Sequence, residues 1–412
     1  MVQNSLPPVA HSFLTMSATI SEPVAAPEHL ERRTAKRRGI PNALINLALV
    51  AVSVVMSAGL AELLVRWLAP QQLVLVRPDV WQSVDTVGWR FRPSLHTTVN
   101  TGERTVHLYT DREGFRVGPE GRVEAPTRVL LIGDSYMAAL QVEYAQSLAG
   151  LFEQRLPERL RRPIAIRNAG QAGWDPPQYL FEARSLFARD TFSLALVSVY
   201  IGNDVVTSRP DRIPPRLPVA TYAFRLPRRV SSAEFIDAFF HPVNDWLKRR
   251  SQLFIFFKSR LQPLLMRLGL TAEYFPEEFR RSTAASSRWD ITCGILADLA
   301  RVAAQHGVRT VFMLIPAPFQ VEPEVFRRYA RGFGLDSTQI DLDQPTRLMR
   351  EGLEARGLTV IDVLPAFRAA ERAGPALYGS VDRHLSPRGH DELERLIEPR
   401  VVELLEQHDG SR

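Results

Sequence analysis

RVLLIGDSY, residues 128–136, decides the fold. A short apolar run with no polar alternation is the signature of a strand buried on both faces. It breaks at Gly133-Asp134-Ser135, a turn able to start a helix. Four more such runs follow: PIAIRN (163–168), LALVSVY (194–200), RTVFMLIP (309–316) and LTVIDVL (358–364). Helical stretches at 140–160, 177–189, 287–306 and 343–356 separate most of them, and a last one spans 390–407. Strands alternating with helices predict an α/β domain over 127–407: a flavodoxin-like, doubly wound, parallel sheet of about five strands. Ligands of such sheets sit beyond the carboxyl ends of the strands, so chemistry is expected there.

Outward from this core, composition removes several classes. The 412 residues are 45% hydrophobic and 23% charged, ordinary values for a globular chain. A single cysteine, Cys293, excludes an intrachain disulfide framework and a cysteine-rich zinc site. No two of the nine histidines have the spacing of a helical metal pair. The net charge of +6 is small for a nucleic-acid binder of this length, and no nucleic-acid partner is expected.

Residues 1–40 carry four prolines and many small polar residues, and end in the basic cluster Arg32, Arg33, Lys36, Arg37 and Arg38. They are expected to be a disordered cytoplasmic tail. ALINLALVAVSVVMSAGLA (43–61) is uncharged for 19 residues, and the helical pattern continues to Leu68 before Pro70. At 1.5 Å per residue, that run crosses roughly 30 Å, a bilayer core. Residues 41–68 are therefore read as a single-pass transmembrane signal anchor. The basic flank predicts an inner-membrane protein whose remainder lies in the periplasm. A cleaved signal peptide is the alternative, with Gly59 and Ala61 at the cleavage positions, but its leader is long and the helix runs past that site.

Residues 69–126 read as a small β-rich connecting segment, with TVHLYT (105–110) alternating between turn signals. A second irregularity is a long insertion at about 207–286, between strand and helix. From Arg209 to Arg267 there are 12 Lys and Arg against 4 Asp and Glu, so this stretch holds the chain's basicity. Trp246, Phe254, Phe256 and Phe257 interleave with its cations, which suits either contact with anionic headgroups or an acidic glycan, or a helical lid.

Four blocks carry candidate chemistry. Ser135, on the turn after the first strand, would expose its hydroxyl at the sheet edge, or merely cap a helix. Gly133 permits the tight turn. Asn168-Ala169-Gly170-Gln171-Ala172-Gly173 ends the second strand, where glycines bring backbone N–H groups near a ligand. Asn203, after the third strand, offers a side-chain amide or an Asx turn. Asp382-Arg383-His384 precedes the last helix, where a carboxylate fixes a histidine's tautomer. His390 reads as a solvated loop histidine.

In this order, the blocks resemble the SGNH (GDSL-type) hydrolase superfamily over about residues 127–405, in its membrane-anchored bacterial form. The GLAELLVRW anchor and the Glu-Gly-Phe-Arg turn at 113–116 are similar too. The resemblance implies acyl transfer from an oxygen ester, with Ser135 as nucleophile, His384 as base and Asp382 as orienting acid. The oxyanion hole it implies is Ser135, Gly173 and Asn203, with no metal and no cofactor. Asp382 and His384 are spaced DxH where the superfamily usually has DxxH, and Asp362 is the fallback orienting acid. Similar anchored proteins act on O-acyl groups, commonly acetyl, of envelope or exported polysaccharides, by hydrolysis or by transfer. The implied partners are an acylated glycan or other ester substrate and the cytoplasmic membrane. The alternatives are a lipase or thioesterase of the same mechanism, or a catalytically silent polysaccharide-binding or assembly subunit.

Overall fold

The computed structural model describes residues 42–69, 79–101, 104–216, 246–247, 250–257, 261, 275–379 and 383–409. The expected tail, most of the basic insertion and Asp382 lie outside the described residues. The chain divides into a short unit ending at Val55 and a large unit starting at Met56.

Helix α1 (Asn42–Leu68) is long and apolar enough to cross a membrane, and its side chains are largely exposed. Two small antiparallel sheets follow. One pairs β1 (Trp81–Val84) with β2 (Gly88–Phe91); the other orders β3 (His96–Asn100), β4 (Thr105–Thr110) and β5 (Arg116–Val117). Their apolar residues Trp81, Phe91, Leu108 and Phe115 are buried in the same core as strand residues Leu130 and Ile132.

The main sheet is parallel throughout and contains β6 (Thr127–Ile132), β7 (Ile164–Asn168), β8 (Leu194–Tyr200), β9 (Arg309–Ile315) and β10 (Thr359–Asp362). Its order, β10-β9-β8-β6-β7, is the doubly wound flavodoxin-like order expected from the sequence. Val129 and Leu131 face one core with α3 (Leu148–Leu160), while Leu130 and Ile132 face the other with α4 (Pro176–Phe187). Burying each such side chain contributes about 1.5–3 kcal/mol. Helix α5 (Arg288–Gln305) packs beside α4, α8 (Gln344–Glu354) packs beside α5, and α10 (Pro387–Asp409) packs beside α3. The winding reverses between β6 and β8, so their carboxyl ends flank the crevice.

Several local expectations are corrected. The helix expected over 140–160 starts only at Leu148. Glu143 is extended, Ser147 Oγ accepts from Gly150 N–H as an N-cap, and a Cβ on Gly150 would lie 2.1 Å from Tyr144 O. The turn at 144–146 thus folds back against the first turn of α3 instead of continuing its axis. The serine helix is instead the short α2 (Ser135–Ala138), ended by Ala139 in the left-handed region at φ 51°. The run LTVIDVL leaves the sheet after Asp362, because Leu364 opens α9 (Leu364–Ala373) and donates its N–H to Asp362 Oδ1. Two further helices, α6 (Pro318–Val321) and α7 (Pro323–Phe333), each start at a proline in the first turn, where its missing N–H costs nothing.

Candidate active site

Ser135 stands on the first residue after the turn that ends β6. Asp134 caps α2, accepting from Tyr136 N–H at 2.9 Å, and lies 3.4 Å from Ser135 Oγ. Gly133 is required by space rather than by a left-handed backbone. A Cβ there would sit 2.8 Å from Ser198 Cβ and 2.9 Å from Met137 Cγ. Burial pushes the Asp134 carboxyl up to about 6, against the opposing pull of the Tyr136 N–H and His384.

His384 Nε2 lies 2.7 Å from Ser135 Oγ, although 249 positions separate the two residues. With the ring protonated on Nδ1, the serine O–H donates to Nε2, which is the geometry of a nucleophile paired with its base. The His384 ring also rests on Tyr136 at 4.9 Å between centroids, and Tyr136 in turn stacks on Tyr200 at 4.3 Å. Tyr136 O–H donates to Arg383 O at 3.3 Å, so the residue next to the serine holds the loop that carries the histidine.

The glycine block is laced to the serine turn. Gln171 N–H donates to Gly133 O, and Asn168 joins Met137 O to Gly170 N–H through its amide. Of the two glycines expected to present bare N–H groups, only Gly173 is exposed; it has φ +78°. Gly170 is buried against α2, where a Cβ would lie 2.5 Å from Met137 Cβ. Asn203 is exposed in the turn after β8, its own N–H donating to Tyr200 O at 3.3 Å. Beneath it, buried Asp204 accepts from Tyr200 N–H and Tyr179 O–H. Burial and the neighbouring Asp134 push the Asp204 carboxyl well above the usual range.

Two expectations fail here. His390 is buried, not solvated, and burial, with Arg116 and His384 nearby, pushes it down to about 3. Asp362, the fallback acid, lies on the edge strand β10, where it takes the Leu364 N–H and Arg350 Nη1, so it is committed to structure there.

Sequence reasoning missed the groups that brace the site. Arg116 is fully buried, and its guanidinium donates to Ala138 O at 2.9 Å, to Ala139 O and to Val142 O at 2.7 Å. It thereby satisfies the carbonyls left open where α2 ends. Burial pushes its pKa down to about 10, which leaves it charged at neutral pH. Trp89 Nε1 donates to Ala172 O and Trp174 Nε1 to Trp89 O, both at 2.9 Å, so β2 clamps the Gly173 loop. The edge of Trp89 lies 3.3 Å from where a Cβ on Gly173 would stand. The only sequence signal for Arg116 was its place in the 113–116 turn.

No protein-family model matches the chain, and no curated protein does. Among solved structures, it is similar to one described as TesA, at 14% identity and TM-score 0.36, covering 68% of this chain and 99% of that one. It is also similar to a catalytic mutant of Axe2, an acetylxylan esterase from Geobacillus stearothermophilus, at 14% identity and TM-score 0.34, covering 68% and 95%. A third is a member of the lipolytic G-D-S-L family from Veillonella parvula, at 11% identity and TM-score 0.35, covering 66% and 97%. Likeness at this level says nothing of this chain's chemistry, for which the site geometry is the ground. Among the described residues, no group of histidine, cysteine and carboxylate side chains is arranged to hold a metal.

Proposed function

We propose that this chain is an SGNH-type serine esterase, held on the inner membrane by α1, that acts on O-acyl groups of an envelope or exported polysaccharide in the periplasm. The observation that carries the chemistry is the 2.7 Å contact between Ser135 Oγ and His384 Nε2 at the carboxyl edge of β6. In this mechanism Ser135 Oγ attacks the ester carbonyl while its proton passes to His384 Nε2. The developing oxyanion takes hydrogen bonds from the N–H groups of Ser135 and Gly173 and from the Asn203 amide. The imidazolium then returns the proton to the departing sugar hydroxyl, leaving an acyl-enzyme. Water, or a second hydroxyl where the outcome is transfer, attacks that intermediate with His384 again as base. Asp382 is assigned the task of holding the imidazole in the required tautomer.

The glycan assignment rests on the predicted address outside the cytoplasm and on the resemblance to anchored proteins of that class. The test uses the purified full-length chain with 4-nitrophenyl esters of increasing acyl length and a fluorophosphonate probe. Turnover that is highest on acetyl and falls with chain length supports the reading. A preference for long acyl chains or thioesters replaces the polysaccharide substrate with a lipid one. Absence of both turnover and labelling overturns the enzyme altogether. A carboxyl-terminal fusion to a reporter active only in the periplasm should be active.

A further inference from the structure

Glu62 is the first charge after the 19 uncharged residues of α1, about 29 Å along the helix from Ala43. It therefore falls where the hydrocarbon of a bilayer gives way to headgroups. Its carboxylate is fully engaged. It accepts from Arg66 Nε at 2.7 Å on its own helix, and from Ser251 Oγ at 2.8 Å, Gln252 N–H at 2.9 Å and Leu253 N–H at 2.9 Å. Arg66 Nη2 adds a bond to Arg250 O at 2.8 Å. A carboxylate from one helix is thus acting as the amino-terminal cap of the helical turn 252–257, a segment some 190 positions away.

What this latch holds is apolar and aromatic. The turn reads QLFIFF (252–257), and Phe257 is 60% exposed with its ring edge-on to Phe256. Trp246, 54% exposed, lies under the Arg250 guanidinium, and Leu261 is 46% exposed. Exposed aromatics beside arginine, fixed at the depth where a spanning helix leaves the hydrocarbon, have the composition of an interfacial belt.

We propose that Trp246 and the 252–257 turn form a second membrane contact, an aromatic foot tied by Glu62 to the outer end of α1, whose partner is lipid at the headgroup–acyl boundary. The inference rests on the reading of α1 as a membrane span. Two contacts instead of one fix the orientation of the large unit over the bilayer, which a single helix leaves free to swivel. An acylated glycan would then meet the site from a constant direction.

The test uses the full-length protein in nanodiscs, with Cys293→Ala as background and a fluorophore at Phe257→Cys or, separately, at Met56→Cys. Nitroxide lipids report the depth of each label. The foot requires strong quenching at position 257 by a shallow nitroxide and at position 56 by a deep one. Glu62→Ala should lower the shallow quenching at 257 severalfold and leave position 56 unchanged, with Glu62→Gln intermediate. Quenching at 56 without quenching at 257, whether that label meets water or is sheltered by protein, overturns the foot and leaves the anchor standing. Absence of quenching at 56 overturns the anchor reading and the foot together.

Discussion

The serine turn and the histidine loop meet at one hydrogen bond but are held in different ways. Ser135 is fixed from below by buried groups: Asp134 caps its helix, Arg116 closes the far end, and Asn168 ties it to the neighbouring loop. His384 is fixed by its backbone and by ring contact. Its carbonyl accepts from Gly379 N–H at 2.8 Å, Tyr378 and Leu385 form a bridge, and Arg383 adopts φ 65° beside it. The ring itself is only half-buried and lies against Tyr136. Placement of the proposed nucleophile therefore rests on buried polar groups beneath the sheet edge, whereas placement of the proposed base rests on the backbone of its own loop and one ring contact. Changes beneath Ser135 should cost stability and activity together, and changes at the reacting atoms should cost activity alone.

The largest effect belongs to the reacting atoms. Ser135→Ala should lower turnover of a 4-nitrophenyl ester by about 10⁴-fold or more and abolish fluorophosphonate labelling, with the denaturation midpoint unchanged. His384→Ala should come close to it, since an unassisted hydroxyl is a weak nucleophile at neutral pH. Full activity in Ser135→Ala ends the mechanism; a large fall in its stability ends the contrast drawn between the two regions.

Arg116→Met sharpens the contrast from the other side. It leaves the carbonyls of Ala138, Ala139 and Val142 facing an apolar chain, so about 3 kcal/mol of stability should be lost. Because α2 then loses its fixed end, turnover of the remaining folded protein should fall by about a hundredfold. Arg116→Lys should not restore it, since one ammonium cannot reach three carbonyls in the plane a guanidinium spans. Denaturant titration and turnover, measured on the same preparation, check both halves.

How much of this was readable in advance follows the same division. Each sheet strand is built on a short apolar run, and such runs alternating with helices carry their own signal, so the flavodoxin-like class and the positions of Ser135, Gly173 and Asn203 beyond strand ends followed from the pattern. Arg116 was illegible because an arginine in a chain reads as exposed, and only the three open carbonyls around it explain its burial. His390 misled for the converse reason: it lies one turn into α10, on the face that packs inward, and an isolated histidine in a loop-like string shows nothing of that. Asp362 looked available because it ends a strand, but its carboxylate already takes the first N–H of the next helix and an Arg350 guanidinium bond. The break before Leu148 is local: the tight turn at 144–146 folds back against Gly150, and Ser147, the N-cap of α3, was its trace in the sequence.

A smaller loss is expected at Asn203, the proposed third oxyanion donor. Asn203 is exposed, so Asn203→Ala should leave stability within about 0.5 kcal/mol of the parent. Turnover should nevertheless fall by about a hundredfold with KM little changed, the pattern of a bond made mainly in the transition state. An unchanged turnover number removes Asn203 from the site, and the hole then consists of backbone donors.

The least effect on chemistry, and the most informative one on pH, should come from His390→Leu. His390 is buried with its pKa pushed down to about 3, while in the unfolded chain it titrates near 6.5. As the pH falls below about 6.5, the unfolded chain takes up a proton that the folded one refuses, so the parent loses stability by about 1.4 kcal/mol per pH unit down to about pH 3. Asp134 and Glu153, whose carboxyls burial raises to about 6 and about 7, act in the opposite direction over part of the same range. Those two contributions are present in both proteins and drop out of the difference between them. The stability of His390→Leu minus that of the parent should therefore be flat above pH 7 and climb steadily on acidification to pH 5, while turnover at pH 8 stays within about twofold. A flat difference down to pH 5 means that His390 is protonated in the folded protein, with a counter-charge beside it. In that case the serine helix and α10 share a polar interior, and the contrast between a buried brace and a local base gives way to one continuous network.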